Sequence, residues 1–179
     1  NTILKIRQSG CKMYKILIVD DESIEREGIS FLIEKYKLPL EVAQATNGKT
    51  ALEYMRTHPI DILLTDVKMP QMDGLELARH TFEKYPDVRI LVFSAYGEFE
   101  FAKKAMAAQA VSYLLKPIEV DEFQRVMTQI IAQCDELSEK KKDEQQRGEE
   151  YRQQLLFRLV TGTGLGKAHI TEEWFSGQT

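Results

Sequence analysis

Ile16-Leu17-Ile18-Val19-Asp20-Asp21-Glu22 is the stretch that decides the fold, because four consecutive aliphatic residues run directly into three consecutive acids. A continuous aliphatic run of this length is typical of a strand buried on both faces, as the central strands of parallel sheets are. A helix pattern follows at once, from Ser23 to Tyr36. The stretch therefore predicts a strand, a group of acids at its carboxyl end and a helix that returns across the sheet.

The same alternation of a short apolar run and a longer helix pattern recurs along the chain, which is typical of a parallel sheet covered by helices on both faces. The predicted strands are Lys15–Val19, Leu40–Ala45, Asp61–Thr65, Arg89–Phe93 and Ser112–Leu115. The predicted helices are Ser23–Tyr36, Gly48–Thr57, Gly74–Tyr85, Glu98–Gln109 and Val120–Leu137. These units predict an α/β fold, a doubly wound five-stranded parallel sheet flanked by five helices.

Length and composition limit the classes of protein to be considered. The chain has 179 residues, of which 43% are hydrophobic and 29% charged, as expected for one compact domain with an appendage. The net charge of −4 argues against a broad nucleic-acid surface. Cys11 and Cys134 are too few for a disulfide framework and suit a cytoplasmic protein. No apolar run approaches the ~20 residues that span a membrane, so no membrane partner is predicted.

Changes in composition divide the chain into three parts. Residues 1–12 precede the first methionine of the chain and are interpreted as an extension or cloning remnant. Residues 13–137 contain all the βα units. Ser138–Gln154 is highly charged and has no Leu, Ile or Val, so residues 138–179 begin as a helical linker or a solvated tether. A new apolar cluster then spans Leu155–Val160.

Residues with useful chemistry follow the predicted strands. Asp20 and Asp21 follow the first strand, Asp66 the third, Ser94 the fourth and Lys116 the fifth. In a doubly wound sheet these positions share the edge where ligands bind. Carboxylates that converge there repel one another unless a divalent cation binds, and Mg²⁺ prefers such oxygen ligands and shares them with phosphate.

The same residue types meet the needs of phosphoryl transfer. The Asp66 carboxylate can form an acyl phosphate, the Lys116 ammonium can bind phosphoryl oxygens, and the Ser94 hydroxyl can donate to them. Each residue also has an ordinary explanation, because Asp20 and Asp21 could cap a helix and Asp66 could begin a turn. Their order and their common place at strand ends favour the phosphoryl site.

Four motifs together resemble the receiver domain of bacterial two-component response regulators. They are Ile16–Glu22, Leu64–Pro70 with Asp73-Gly74, Phe93–Ala95 and Tyr113–Pro117. The resemblance covers about Tyr14 to Leu137 and implies a flavodoxin-like fold. It also implies that Asp66 is the phosphoacceptor.

The resemblance further assigns a magnesium site. Asp21 and Asp66 would be direct ligands, together with the backbone carbonyl of Lys68, and Asp20 would contact the ion through water. The side chain of Lys68 would face the phosphoryl site.

The remaining implied roles concern the signal. Ser94 would be the switch hydroxyl, Tyr113 the aromatic switch residue and Lys116 the phosphate-binding ammonium. Lys116-Pro117 would be a cis peptide. An alternative for Tyr113 is simple packing on the edge strand.

A second resemblance concerns the output. Ser94–Ala105 and Leu155–Gly162 resemble the subgroup whose receivers precede an AraC-type helix-turn-helix domain, which we expect to be truncated here. The predicted function is therefore a phosphorylation-activated switch in transcription, with a sensor histidine kinase as phosphodonor and DNA contacted only through the output domain. A stand-alone receiver acting as an adaptor or phosphorelay protein is the alternative. A phosphatase of the haloacid dehalogenase type would have an acid where this chain has Lys68, so an enzyme is not predicted.

A homodimer is expected on phosphorylation, through the surface formed by the predicted fourth helix, fifth strand and fifth helix. Charged residues of both signs suit a two-fold pairing there. An apolar stripe on the fifth helix has the spacing of a coiled-coil seam and comprises Phe123, Met127, Ile130, Cys134 and Leu137. For Phe123–Ile130, packing of the helix against its own sheet is the favoured interpretation.

Overall fold

A computed structural model describes residues 12–95 and 111–161. The strands are β1 (Tyr14–Val19), β2 (Leu40–Ala45), β3 (Ile62–Asp66), β4 (Arg89–Ala95) and β5 (Val111–Lys116). The helices are α1 (Ser23–Lys35), α2 (Gly48–Thr57), α3 (Gly74–Lys84) and α4 (Val120–Thr161). The predicted helix Glu98–Gln109 lies outside the described residues.

The five strands form one parallel sheet in the order β2-β1-β3-β4-β5. The chain moves from β1 outward to β2 and then crosses to β3 on the other side, so the strand order reverses between β1 and β3. Ligands bind beyond the carboxyl ends of the strands at such a point. The predicted five-stranded doubly wound sheet is confirmed.

Three strands are longer at their carboxyl ends than the sequence predicts. β3 includes Asp66, β4 includes Ser94 and Ala95, and β5 includes Lys116. The reason is that their backbones continue the parallel ladder, in which Asp66 pairs with Phe93 and Ala95 with Lys116. These polar residues therefore belong to the rigid sheet and not to the loops that follow it.

Side chains alternate between two cores, one on each face of the sheet. On one face, Ile16 and Ile18 pack with buried residues of α1 and α4. On the other face, Leu17 and Val19 pack with buried residues of α2 and α3. Burial on both faces explains why β1 reads as a continuous aliphatic run.

The apolar stripe at the start of α4 packs into the first of these cores. Phe123, Met127, Ile130 and Cys134 are all buried there. The predicted packing of Phe123–Ile130 against the sheet is confirmed, and it extends to Cys134. α4 then continues as a helix to Thr161, beyond the predicted end at Leu137.

The contacts of the chain divide it into two units, residues 1–137 and 138–179. In the second unit the described residues are helical to Thr161, and the apolar side chains Leu155, Leu156, Phe157, Leu159 and Val160 are exposed. No helix within the described residues is long and apolar enough to cross a membrane.

Candidate phosphoryl site

One lysine joins two buried carboxylates at the carboxyl edge of the sheet. Lys116 Nζ lies 2.8 Å from Asp66 Oδ1 and 3.0 Å from Asp20 Oδ2. Asp20 is only 1% exposed and Asp66 only 7%. The ends of β1, β3 and β5 thus bring together three of the residues that the sequence singles out. The peptide after this lysine, Lys116-Pro117, is cis as the resemblance implies.

Asp20 is held in place by the turn that leads into α1. Its Oδ1 accepts a hydrogen bond from the backbone N–H of Glu22 at 2.9 Å. Its backbone carbonyl accepts one from Arg26 Nη1 at 2.6 Å, and Arg26 Nε also donates to Gln44 on β2. Arg26 is not among the residues predicted from the sequence. Its position about one turn into α1 is consistent with a side chain that reaches back to the turn before the helix.

Both carboxylate oxygens of Asp66 have donors. Oδ1 faces Lys116, and Oδ2 accepts a hydrogen bond of 2.8 Å from the backbone N–H of Lys68. The Asp66 carbonyl accepts a further bond from Thr65 Oγ1. The Asp66 carboxylate is therefore oriented by the following loop and by β5, whereas Thr65 binds the backbone of the same residue.

Gly74, the first residue of α3, must be glycine because the chain passes very close to Asp66. A Cβ atom at Gly74 would lie 1.7 Å from the Asp66 carbonyl oxygen. The N–H of Gly74 donates to the carbonyl of Val67 at 2.9 Å, and Asp73 caps α3 by accepting from the N–H of Glu76. This explains why Asp73-Gly74 accompanies the motif Leu64–Pro70.

Burial and pairing set the charge state of the site. Burial raises the pKa of the Asp66 carboxyl, although Lys116 and the Lys68 N–H act against this effect. Burial acts to lower the pKa of Lys116, but the hydrogen bonds and charges of Asp66 and Asp20 outweigh it, so this pKa is raised. The ammonium is thus retained, while the net charge of one lysine and two carboxylates is negative.

The other predicted residues have different surroundings. Ser94 is completely buried, and its Oγ donates to the carbonyl of Ala95 at 3.3 Å. Tyr113 is half-buried and packs against the core on the α2 and α3 face. Lys68 and Asp21 are both exposed, and it is the backbone N–H of Lys68 that contacts Asp66.

Asp21 does not join Asp20 and Asp66 in a ready-made metal site. Within residues 12–95 and 111–161, no three His, Cys, Asp or Glu side chains are grouped closely enough to hold an ion. The aromatic ring of Phe93 lies beneath Lys116, with its centroid 4.7 Å from Nζ. Such a contact favours the charged ammonium. No separate role is predicted for Phe93 from the sequence.

A family model described as the response regulator receiver domain matches residues 16–128. The chain is 42% identical over 122 residues to the uncharacterized transcriptional regulatory protein YesN of Bacillus subtilis, a match that covers 68% of this chain and 33% of YesN. It is 32% identical over 120 residues to the response regulator GacA of Pseudomonas aeruginosa, covering 67% and 56% of the two chains. The chain thus spans about a third to a half of these relatives.

Solved structures agree with this match. A two-component transcriptional regulator AraC from Clostridium phytofermentans has a TM-score of 0.65 and 36% identity, and the match covers 70% of this chain and 98% of that one. The REC domain of AraT, a response regulator from Geobacillus stearothermophilus, has a TM-score of 0.65 and 38% identity, with 69% and 97% covered.

Proposed function

The chain belongs to the response regulator receiver domain family, which consists of signalling switches rather than enzymes, and on this premise we propose that Asp66 accepts a phosphoryl group from a sensor histidine kinase. The observation that carries the proposal is the contact of Lys116 with the buried carboxylates of Asp66 and Asp20. Two buried acids on one lysine stabilise a fold poorly. They are well suited to a site that binds phosphate and cations.

The proposed reaction is a transfer between two side chains. A lone pair of the Asp66 carboxylate attacks phosphorus, the phosphorus–nitrogen bond of the kinase phosphohistidine breaks, and the histidine nitrogen keeps the electron pair. Lys116 stabilises the negative charge on the phosphoryl oxygens, and the Lys68 N–H keeps the carboxylate oriented. Ser94, fixed at the end of β4, is proposed as the hydroxyl that binds the product.

The residues present fit a magnesium ion. Two carboxylates are buried with one ammonium, and burial raises the pKa of Asp66, so a further cation is favoured. Asp21, Asp66 and the Lys68 carbonyl are the proposed ligands, with Asp20 acting through water. Bound there, Mg²⁺ supplies positive charge that neutralises the oxygens of the phosphoryl group.

We propose residues 13–137 as the receiver and residues 138–179 as a helical linker and the start of an output region. The proposed output is transcriptional and lies outside the receiver. YesN is a transcriptional regulatory protein by name, and its similarity supports this assignment.

Phosphorylation adds about −1.5 to −2 charges at Asp66. We propose that Ser94 and Tyr113 respond to this added charge and that the response favours a homodimer. The dimer surface includes Glu98–Gln109, outside the described residues. A free, buried Cys134 suits the cytoplasm as its location.

Intact-mass spectrometry after incubation with acetyl phosphate and Mg²⁺ tests the proposal. We expect one added phosphoryl group, removed by alkali, in the wild type and in the control Asp143→Asn, whose carboxylate lies on the exposed part of α4. Asp66→Asn should take none. An adduct of equal yield in Asp66→Asn would contradict the assignment of the acceptor. A cognate kinase should show the same dependence, whereas a chain that passes phosphate onward to a second histidine would favour the phosphorelay alternative.

A further inference from the structure

The loop between Asp66 and α3 is a packed element. Val67 and Met69 are buried, at 7% and 9% exposure. The N–H of Gly74 closes the loop on the carbonyl of Val67, and the N–H of Met72 donates to the carbonyl of Pro70 at 2.9 Å. Since the Lys68 N–H that holds Asp66 Oδ2 belongs to this loop, the position of the loop determines the position of that donor.

Met72 fixes the far end of the loop by packing on Gly48, the first residue of α2. A Cβ atom at Gly48 would lie 2.7 Å from Met72 Cγ, 2.8 Å from Sδ and 3.0 Å from Cβ. At the first two distances one group must move, and at the third the methionine must give way by a few tenths of an ångström. Gly48 is buried, so the methionine occupies the space that a side chain at this position would need.

Backbone conformation does not explain this glycine. Gly48 lies within a helix and lacks a positive φ angle. Alanine is a better helix residue than glycine. The helix start is independently fixed by Asn47, whose side chain accepts from the N–H of Thr50 in a capping box. The space occupied by Met72 is therefore the feature of the structure that a side chain at Gly48 would disturb.

We infer that Gly48 is a positioning residue for the phosphoacceptor, acting through Met72 and the loop on the Lys68 N–H that orients Asp66. This inference rests on the proposed function of Asp66. A side chain at Gly48 displaces Met72, the loop shifts with it, and the Lys68 N–H loses its alignment with Oδ2. Errors of about 1 Å in the placement of reacting groups slow reactions by up to about 100-fold.

Four variants test this chain of contacts: Gly48→Ala, Met72→Ala, the double variant, and Gly28→Ala as the matched control. Gly28 lies on α1, and a Cβ atom there would meet nothing within 4 Å. The rate of phosphorylation by acetyl phosphate is measured for the folded protein, together with the backbone amide shift of Lys68 by NMR. The amide shift reports the hydrogen bond to Asp66 whether or not phosphorylation takes place.

We expect Gly48→Ala to slow labelling about tenfold and to shift the Lys68 amide resonance, and Gly28→Ala to change neither. Once Met72 is alanine, adding Gly48→Ala should have little further effect, because the contacts with Cγ and Sδ are gone and only the 3.0 Å contact with Cβ remains. This non-additivity is the signature of a direct contact. If Gly48→Ala keeps both the wild-type rate and the wild-type amide shift, the inference is overturned. Absence of labelling in the wild type would contradict the proposed function instead, and the amide shift would still decide the positioning role.

Discussion

The two edges of the sheet bury polar groups in opposite ways. At the carboxyl edge, Asp20 and Asp66 share one ammonium, that of Lys116. At the amino edge, near the start of β1, the Tyr14 hydroxyl donates to Asp135 Oδ1 at 2.5 Å, and the N–H of Lys15 donates to Asp61 Oδ2 at 2.8 Å.

The difference is one of charge balance. The carboxyl edge has an excess of buried negative charge, which costs stability unless a cation binds. At the amino edge each of the two carboxylates accepts a hydrogen bond from a neighbouring donor, and such bonds stabilise the fold. Removing a carboxylate charge at the carboxyl edge should therefore stabilise the metal-free protein, whereas removing a hydrogen-bond donor at the amino edge should destabilise it. The following predictions test that contrast from the largest effect to the smallest.

Lys116→Met should produce the largest loss of stability. It leaves Asp20 and Asp66 buried close together without the ammonium, and breaking a buried ion pair costs about 3 kcal/mol or more. Urea unfolding at pH 7 measures this, with the exposed Lys142→Met as the control. A loss no larger than that of the control would mean that the carboxyl edge does not depend on this charge.

Asp66→Asn should stabilise the metal-free protein, by about 2 kcal/mol, since it leaves a balanced pair of Lys116 and Asp20. Burial raises the pKa of Asp66, so its charged form opposes folding. The stability that Asp66 contributes is complete below its ordinary pKa and is lost as the pH rises through the raised value, so at pH 7 the amide is favoured.

Thermal melts without Mg²⁺ measure this effect on stability, and melts with Mg²⁺ measure how much stability metal binding adds to each protein. The wild type should gain about 2.7 kcal/mol at a hundredfold excess of Mg²⁺ over its Kd, whereas Asp66→Asn should gain much less. A metal-free Asp66→Asn protein that melts below the wild type would contradict the view that this edge is strained by charge.

The sequence predicts most of the polar site at the carboxyl edge. The aliphatic run of β1 shows where the strand ends, and a parallel sheet necessarily brings strand ends together, so Asp20, Asp66 and Lys116 could be assigned to one site. Only the structure shows that Lys116 directly contacts both carboxylates. The strand ends were placed too early because polar residues such as Ser94 do not resemble strand residues.

Contacts between loops and helix ends could not be predicted. The packing of Met72 on Gly48, and the bond from Arg26 to the carbonyl of Asp20, depend on the distance between segments that no periodic pattern determines. The sequence does not decide between a helix and a tether beyond Leu137, because the charged segment lacks the apolar face from which helices are usually recognised.

At the amino edge, Tyr14→Phe should destabilise the protein by about 1.5 kcal/mol, because it removes a hydrogen bond to a carboxylate and little else. The direction is opposite to that for Asp66→Asn. Denaturant unfolding measures it, with Tyr151→Phe as the control, since Tyr151 is exposed on α4. Equal stability of Tyr14→Phe and the wild type would show that the bond to Asp135 contributes nothing. Phosphorylation of Asp66 should be unaffected.

Cys134 gives the smallest effect, which should be visible only in alkaline solution. Burial, followed by the charge of Asp61, raises the pKa of the Cys134 thiol from 9.0 to about 11. The protonated thiol contributes stability that is complete below pH 9, where the unfolded chain also keeps its proton, and that is lost as the pH rises towards 11.

At pH 10 the wild type should therefore have lost about 1 kcal/mol more, relative to pH 8, than Cys134→Ala has. The comparison uses the change with pH, so the cost of the smaller side chain cancels. In a Cys11→Ser background the remaining thiol should react with a disulfide reagent only as the protein unfolds. Parallel pH profiles for the two proteins, or rapid reaction of the folded thiol, would show that the amino edge admits solvent.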